Sequence, residues 1–283
     1  MTAGLPMLDM ASLALALLIA GAITGFLAGL FGVGGGAVLV PALYELFRIV
    51  DVPDGVRMPL CVGTSLAIII PTSIRSYYAH RAKRAVDTSV LRNWAVPVVA
   101  GVVLGSLIAR YAPAELFKIV FVVIAGLSAA RLLFGRDSWR FADEMPGGLF
   151  LRAYGVVIGV LSTLMGIGGG QLSNMFMTFY GRPIHQAIAT SSGLGVLISI
   201  PGALGYIYAG WPAAAANPDV LALQPPFALG YVSLIAAVIV SPTSVLTAPL
   251  GVRLAHALPK RALEIAFGLF LLVICARFVA SLL

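Results

Sequence analysis

Long apolar stretches without a charged residue recur along this chain and constrain its fold more than any other feature. They cover residues 11–44, 58–74, 93–109, 153–181, 186–218 and 220–252. Several of them are long enough to cross a hydrocarbon core of about 30 Å as helices. Hydrophobic residues make up 60% of the chain and charged residues only 10%, which is more apolar surface than a soluble domain can bury. The pattern therefore predicts a polytopic membrane protein.

The same stretches are continuously apolar and do not alternate, so they predict helices and not the strands of a membrane barrel. A helix satisfies its own backbone hydrogen bonds in lipid, where no water is available. We therefore predict an all-α polytopic membrane protein with eight to ten helical segments. No cleavable signal peptide is expected, because no positive charge precedes the first apolar stretch. Cys61 and Cys275 lie in apolar surroundings and do not indicate a disulfide framework.

Loops that carry Lys and Arg predict the orientation of the chain in the membrane. The net charge is +7, and the densest basic loop runs from Arg75 to Arg92. The positive-inside rule places this loop in the cytoplasm, together with the loop from Arg253 to Arg261. The loop from Gly210 to Pro226 has no Lys or Arg and is predicted to be external. Both termini are then external, and membrane topology explains the basic charge without a nucleic-acid partner.

The two halves of the chain resemble one another. GLFGVGGG at residues 29–36 matches TLMGIGGG at residues 163–170, which lie 134 residues later. Further matches follow in the same order: VGTS with IATS (62–65 and 188–191), and GSLIARYAPAELFKIVF with GVRLAHALPKRALEIAF (105–121 and 251–267). The loops that follow Tyr78 and Tyr208 differ in charge, since only the first is rich in Lys and Arg.

This pattern predicts two inverted-topology repeats, residues 1–136 and 149–283, joined by a cytoplasmic linker at residues 137–148. Inverted repeats are common in secondary transporters, where the substrate site lies near the middle of the membrane between the repeats. The linker and both repeats are treated as one integrated domain.

Clustered glycines interrupt both repeats at equivalent places. Each glycine costs a helix about 1 kcal/mol relative to alanine, so we expect the helix to break there. The segments that follow, 37–47 and 171–180, would span only about 15 Å each. Each glycine stretch is therefore predicted to be the tip of a hairpin, or the break in a discontinuous helix, within the membrane. Free N–H groups at such a break can bind a small anion, and the alternative is that the glycines only allow close helix packing.

Candidate anion-binding residues surround the two glycine tips. The glycines are Gly32, Gly34, Gly35 and Gly36 in the first repeat and Gly166, Gly168, Gly169 and Gly170 in the second. The hydroxyl donors are Thr64, Ser65, Thr190, Ser191 and Ser192. Hydroxyl groups in membrane helices also bond to their own helix, and that alternative stays open here.

Three further polar side chains are candidates. Gln171 and Asn174 directly follow the second glycine tip, where the first repeat has Ala37 and Val40. An amide in an uncharged span is costly without a partner, so both are predicted to face the pocket. Arg75 lies about one helical turn past a Pro-Thr-Ser sequence, and it either partners the anion or extends to the cytoplasmic surface.

The paired GVGGG and GIGGG motifs, each followed by a TS segment, resemble the TauE/SafE family of sulfite exporters. The resemblance covers nearly the whole chain in the family's order. It implies an integral protein of the bacterial inner membrane that moves sulfite, an organosulfonate or a related small sulfur anion. One departure concerns the pocket: seven residues separate Thr64 from Pro71, but eleven separate Thr190 from Pro201. The two repeats therefore cannot line the pocket identically.

Two classes of function remain open from the sequence. The first is a secondary transporter of a small sulfur oxyanion that uses alternating access around the glycine tips. The second is a non-transporting membrane partner protein whose glycines serve packing. Import, another anion, the coupling ion and a homo-oligomeric state are also open. An enzyme is not expected, because Gly-x-Ser-x-Gly, His-Glu-x-x-His and metal-spaced Cys/His motifs are missing, and no cofactor or metal is predicted.

Overall fold

The protein is almost entirely helical. A computed structural model describes residues 7–31, 35–135, 142, 145–216 and 227–282 of the 283-residue chain. The described residues form ten helices and one two-stranded hairpin. The first five helices are α1 (Met7–Phe31), α2 (Gly36–Ile49), α3 (Asp54–Ala82), α4 (Thr88–Tyr111) and α5 (Ala114–Phe134). The remaining elements are α6 (Gly148–Met165), α7 (Gly170–Phe179), α8 (Ile184–Ala216), β1 (Ala228–Leu229), β2 (Val232–Ser233), α9 (Leu234–Ala257) and α10 (Lys260–Ala280).

Seven of these helices are long and apolar enough to cross a membrane by length and composition. They are α3, α4, α5, α6, α8, α9 and α10. Helices α2 and α7 are shorter, with 14 and 10 residues, or about 21 and 15 Å of helix. Both follow a glycine break, as predicted. The structure confirms the expected all-α polytopic membrane protein.

The helices of the two halves pack reciprocally. The deeply buried helices α3 and α8 contact each other, and α5 contacts α10. Helix α4 packs against α6 and α8, while α9 packs against α1 and α3. Exchanging the first five helices for the last five therefore reproduces each of these contacts.

Glycines allow the closest of these helix crossings. Where α4 crosses α6, a Cβ atom on Gly159 would lie 2.9 Å from the Cα atom of Gly101. Any side chain at either position would push the two helices apart. Gly101 and Gly159 therefore allow the close helix packing that small residues provide in membrane proteins.

A short β-hairpin before α9 has no counterpart in the sequence predictions. Ala228 pairs with Ser233 and Leu229 with Val232 in antiparallel register. The N–H of Tyr231 donates to the carbonyl of Tyr206 on α8 at 3.1 Å, which holds the hairpin against that helix. Helix α8 itself runs on to Ala216, so it takes up the beginning of the loop predicted at 210–226. The rest of that loop and most of the predicted linker lie outside the described residues.

Candidate functional site

The two glycine breaks meet in the interior of the protein. Gly36 begins α2, and a Cβ atom on it would lie 2.6 Å from the carbonyl oxygen of Gly166 and 2.7 Å from the Cα atom of Ile167. Ser65 on α3 also reaches this place, since its hydroxyl donates to the carbonyl of Gly166 at 2.8 Å. The TS segment of one half thus contacts the glycine break of the other. Gly32 and Gly34 lie outside the described residues.

The backbone at the breaks explains the need for glycine. Gly35 and Gly169 immediately precede the short helices α2 and α7, with φ angles of +78° and +73°. Gly166 ends α6 with a φ angle of +69°. Residues with a side chain rarely adopt these angles, whereas glycine adopts them at no steric cost. These three glycines are therefore required for the shape of the breaks, and not for packing alone.

The beginning of α7 presents unpaired backbone donors. The N–H of Ser173 donates to the carbonyl of Gly169 at 3.0 Å. Within the described part of the chain, the N–H groups of Gly170, Gln171 and Leu172 have no acceptor. The N-terminus of a helix also carries a partial positive charge of about half an elementary charge. Free donors and positive potential together make this end of α7 suited to an anion.

Buried polar side chains without partners lie beside these donors. Gln171 is 8% exposed, and neither its Oε1 nor its Nε2 atom has a hydrogen-bond partner. The Oδ1 atom of Asn174 and the Oγ atom of Ser162 are also without a partner. A Cβ atom on Gly169 would lie 3.6 Å from the Ser162 hydroxyl. Each buried polar group left unpaired costs about 1–3 kcal/mol, so a ligand that paired with several of them would bind favourably.

Ser162 is a residue that the sequence reasoning missed. It lies on α6, four residues before Gly166. The available signal was a hydroxyl in an uncharged span one helical turn before the glycine break.

Gly168 lies between Ile69 of α3 and Gly195 of α8. A Cβ atom on Gly168 would lie 3.0 Å from the nearest atom of Ile69 and 3.4 Å from that of Gly195. Helices α3 and α8 therefore enclose the break from the side.

Thr64 and Thr190 hold the ends of two other helices. The Oγ1 atom of Thr64 accepts the N–H of Ser233 at 2.9 Å, and that of Thr190 accepts the N–H of Asp87 at 2.9 Å. Ser233 and Asp87 are the N-cap residues of α9 and α4. The two predicted hydroxyls are thus equivalent in the structure, but each contacts a helix cap and not a glycine tip.

Among the described residues, no hydrogen bond or ion pair links the remaining predicted donors to the glycine breaks. The Ser191 hydroxyl donates to the carbonyl of Ile188 and the Ser192 hydroxyl to that of Ala189, both within α8. This is the alternative in which serine bonds to its own helix. Arg75 is exposed on α3 and forms no ion pair with a described residue.

Asp87 is the acidic group that joins the basic loop to the start of α8. Burial acts to raise the pKa of its carboxyl, but hydrogen bonds from Ser89 and the N–H of Val90, together with the charge of Arg182, outweigh burial and lower the pKa. The Arg182 guanidinium lies 3.7 Å from the carboxylate.

The described residues contain no group of three or more His, Cys, Asp or Glu that could hold a metal ion.

Two half-length helices that meet at glycine breaks, inside a bundle of membrane-crossing helices, are the arrangement found in membrane transporters. The chain matches the family described as Sulfite exporter TauE/SafE over residues 17–278, and it belongs to that family. The recognition from the glycine and TS motifs is thereby confirmed.

Related proteins carry transporter names. A probable membrane transporter protein of Haemophilus influenzae is 34% identical over 257 residues, which cover 91% of this chain and 94% of that protein. A probable membrane transporter protein of Methanocaldococcus jannaschii is 27% identical, with the same two coverages. The probable membrane transporter protein YunE of Bacillus subtilis is 26% identical over 69% of this chain and 78% of its own length. No solved structure is significantly similar to the chain.

Proposed function

We propose that this protein is a secondary transporter that exports a small sulfur-containing anion, such as sulfite or an organosulfonate, across the bacterial inner membrane. The observation that carries the proposal is the beginning of α7. Three unpaired N–H groups there lie next to Gln171, a buried amide that has no partner among the described residues. An oxyanion has several acceptor oxygens, so it satisfies these donors in a way that a cation or an apolar solute does not.

The family described as sulfite exporters supports a sulfur oxyanion as the cargo. Sulfite and sulfonates carry three acceptor oxygens on one sulfur, which suits donors that converge on one point. The membrane potential favours export of an anion from the negative interior by about 2.3 kcal/mol per charge per 100 mV.

Two inverted repeats supply the alternating-access mechanism in this proposal. Glycine contacts at equivalent crossings support the repeats: Gly159 on α6 lies against Gly101 on α4, and Gly25 on α1 lies against Thr247 on α9. Gly159 follows Gly25 by 134 residues, and the two glycine breaks are separated by the same number. Thr247 follows Gly101 by 146 residues, which is also the separation of the matching segments that start at residues 105 and 251. The anion site then lies between the repeats, and their relative movement opens it to one side at a time.

The basic end of the bundle faces the cytoplasm in this proposal. The contacts of Asp87 bring the loop at residues 83–87 and the beginning of α8 together at one end. The loop from Arg75 to Arg92 carries the densest positive charge of the chain. Helix α7 ends on this side, and both termini lie on the external side.

Replacing Gln171 with methionine tests the site. Methionine has nearly the same volume and removes both unpaired polar atoms, so the ligand-free protein should melt at a higher temperature. Sulfite binding, measured by equilibrium dialysis of the purified protein, should fall by about tenfold or more, the equivalent of one lost charge-assisted hydrogen bond.

The matched control is Gln186→Met, because Gln186 lies at the partly exposed start of α8, away from the break. This variant should leave sulfite affinity unchanged. A Gln171→Met protein that binds sulfite as the wild type does would contradict the assignment of the site to α7.

A further inference from the structure

One face of α7 is polar from the glycine break to the end of the helix. Gln171, Asn174 and Thr178 are spaced by three and four residues, which places them on one side. The Thr178 hydroxyl donates to the carbonyl of Asn174 at 2.8 Å. It also accepts a hydrogen bond at 3.0 Å from the Arg131 guanidinium of α5. Gln171 is buried while Asn174, Thr178 and Arg131 are partly exposed, so this polar stripe leads outward from the break.

The equivalent face of α2 is closed. The residues 134 positions earlier are Ala37, Val40 and Tyr44, and each is at most 4% exposed. Tyr44 packs edge-on against Phe278, with ring centres 5.2 Å apart. Access for a hydrated anion along a half-helix is therefore possible along α7 and not along α2 in this conformation.

Arg131 differs from its equivalent in the other repeat in how its charge is balanced. Arg277, 146 residues later on α10, lies 2.6 Å from the carboxylate of Glu45 on α2, which Arg48 also contacts at 2.9 Å. For Arg131, no ion pair with a carboxylate of the described residues is formed, although the charge of Glu264 acts on it. The Arg131 guanidinium instead stacks on the ring of Phe179 at 4.1 Å and donates to Thr178. Among the described residues, no adjacent carboxylate therefore neutralises its positive charge.

We propose that Arg131, Thr178 and Asn174 form a second anion-binding site, at the cytoplasmic end of α7. The transported oxyanion binds there first and then passes along the polar stripe to Gln171 and the N-terminus of α7. A guanidinium presents a planar set of donors that matches two oxygens of one oxyanion, and its charge raises the local anion concentration. This inference rests on the proposed function and names the route by which its cargo enters.

Thiol labelling tests the route without requiring transport. Asn174→Cys and its matched control Val40→Cys are placed in a protein whose two native cysteines are replaced by alanine. Inverted membrane vesicles, which expose the cytoplasmic face, are treated with a membrane-impermeant maleimide. Asn174→Cys should be labelled from this face, and Val40→Cys should not be labelled. Sulfite is omitted because it adds to maleimides itself. An unlabelled Asn174→Cys would overturn the route.

Initial rates of radiolabelled sulfite uptake into the same kind of vesicle test the role of Arg131. Arg131→Gln should raise the KM about tenfold with a Vmax within about twofold of wild type, since a charged hydrogen-bond donor is lost at the entry site. Arg131→Lys should recover most of the affinity because it keeps the charge. The KM of the wild type should also rise more with ionic strength than the KM of Arg131→Gln does.

The matched control is Arg277→Gln, which removes the equivalent arginine from the paired side. It should leave the KM unchanged. An Arg131→Gln protein with a lower Vmax and an unaltered KM, or an equal KM effect in Arg277→Gln, would show that Arg131 only supports the fold. Wild-type vesicles without saturable uptake would instead contradict the proposed function, and labelling at position 174 would still decide the route.

Discussion

Replacing Gly169 with alanine tests whether the backbone of the second break forms the anion site. Gly169 has a φ angle of +73° directly before α7. This conformation costs an alanine about 1–2 kcal/mol. The added Cβ atom would also overlap the Cδ1 atom of Ile198, which is the far end of a flexible side chain. Moving Ile198 away from its rotamer costs about 0.5–1.5 kcal/mol, so the variant should lose about 2 kcal/mol in total.

The assay is thermal unfolding of the purified protein in detergent, with and without sulfite. Gly169→Ala should lower the unfolding temperature by several degrees, and sulfite should raise it less than in the wild type, because the N–H groups of α7 no longer converge. The matched control is Gly126→Ala, since a Cβ atom there meets nothing within 4 Å in the middle of α5. Alanine favours the helix, so this control should be neutral or stabilising. If both variants unfold alike and respond alike to sulfite, the reasoning about the break is refuted.

Three further predictions concern contacts around the site and the topology. Ser65→Ala should destabilise the protein by about 1–3 kcal/mol because the carbonyl of Gly166 loses its buried donor, whereas Ser192→Ala should have little effect in the same unfolding assay. The lowered pKa of the Asp87 carboxyl means that its ionised form stabilises the folded protein at neutral pH. The difference in unfolding free energy between wild type and Asp87→Ala should therefore shrink as the pH falls below the ordinary carboxyl pKa of 3.8 and through the lowered pKa of folded Asp87. A difference that stays constant over this acidic range would contradict the stabilising role of the ionised carboxylate. A reporter enzyme inserted at residues 213–217 should be active on the external side only, and a cytoplasmic signal would overturn the inverted arrangement.

Local sequence features were sufficient to predict the helices and the breaks. Runs of apolar residues fix where helices form in lipid, and a cluster of glycines weakens a helix wherever it occurs. The short helices α2 and α7 therefore begin within one residue of their predicted starts at residues 37 and 171. The repeat in the sequence also placed Gly35 and Gly169 at equivalent positions, and both have positive φ angles.

Contacts between distant segments were not predictable from local pattern. Thr64 and Thr190 were expected at the glycine tips, but each accepts an N–H from a helix cap, at Ser233 and Asp87, more than 100 residues away. Ser162 was not predicted because the hydroxyl of a serine in an apolar helix commonly bonds to its own helix. Its lack of a partner becomes visible only when α6 is packed in three dimensions.

The difference between Arg131 and Arg277 was hidden for the same reason. The two arginines occupy equivalent places in the two halves of the sequence. Only the tertiary structure shows that Arg277 forms an ion pair with Glu45, while the Arg131 guanidinium contacts Thr178 and an aromatic ring.

Flux of radiolabelled sulfite into proteoliposomes that contain the purified wild-type protein tests the central claim most directly. Unlabelled sulfate, thiosulfate and a set of organosulfonates serve as competitors, and protein-free liposomes serve as the control. The account predicts saturable flux that one class of sulfur anion inhibits selectively. Correctly inserted wild-type protein that moves none of these anions above the protein-free control would contradict it.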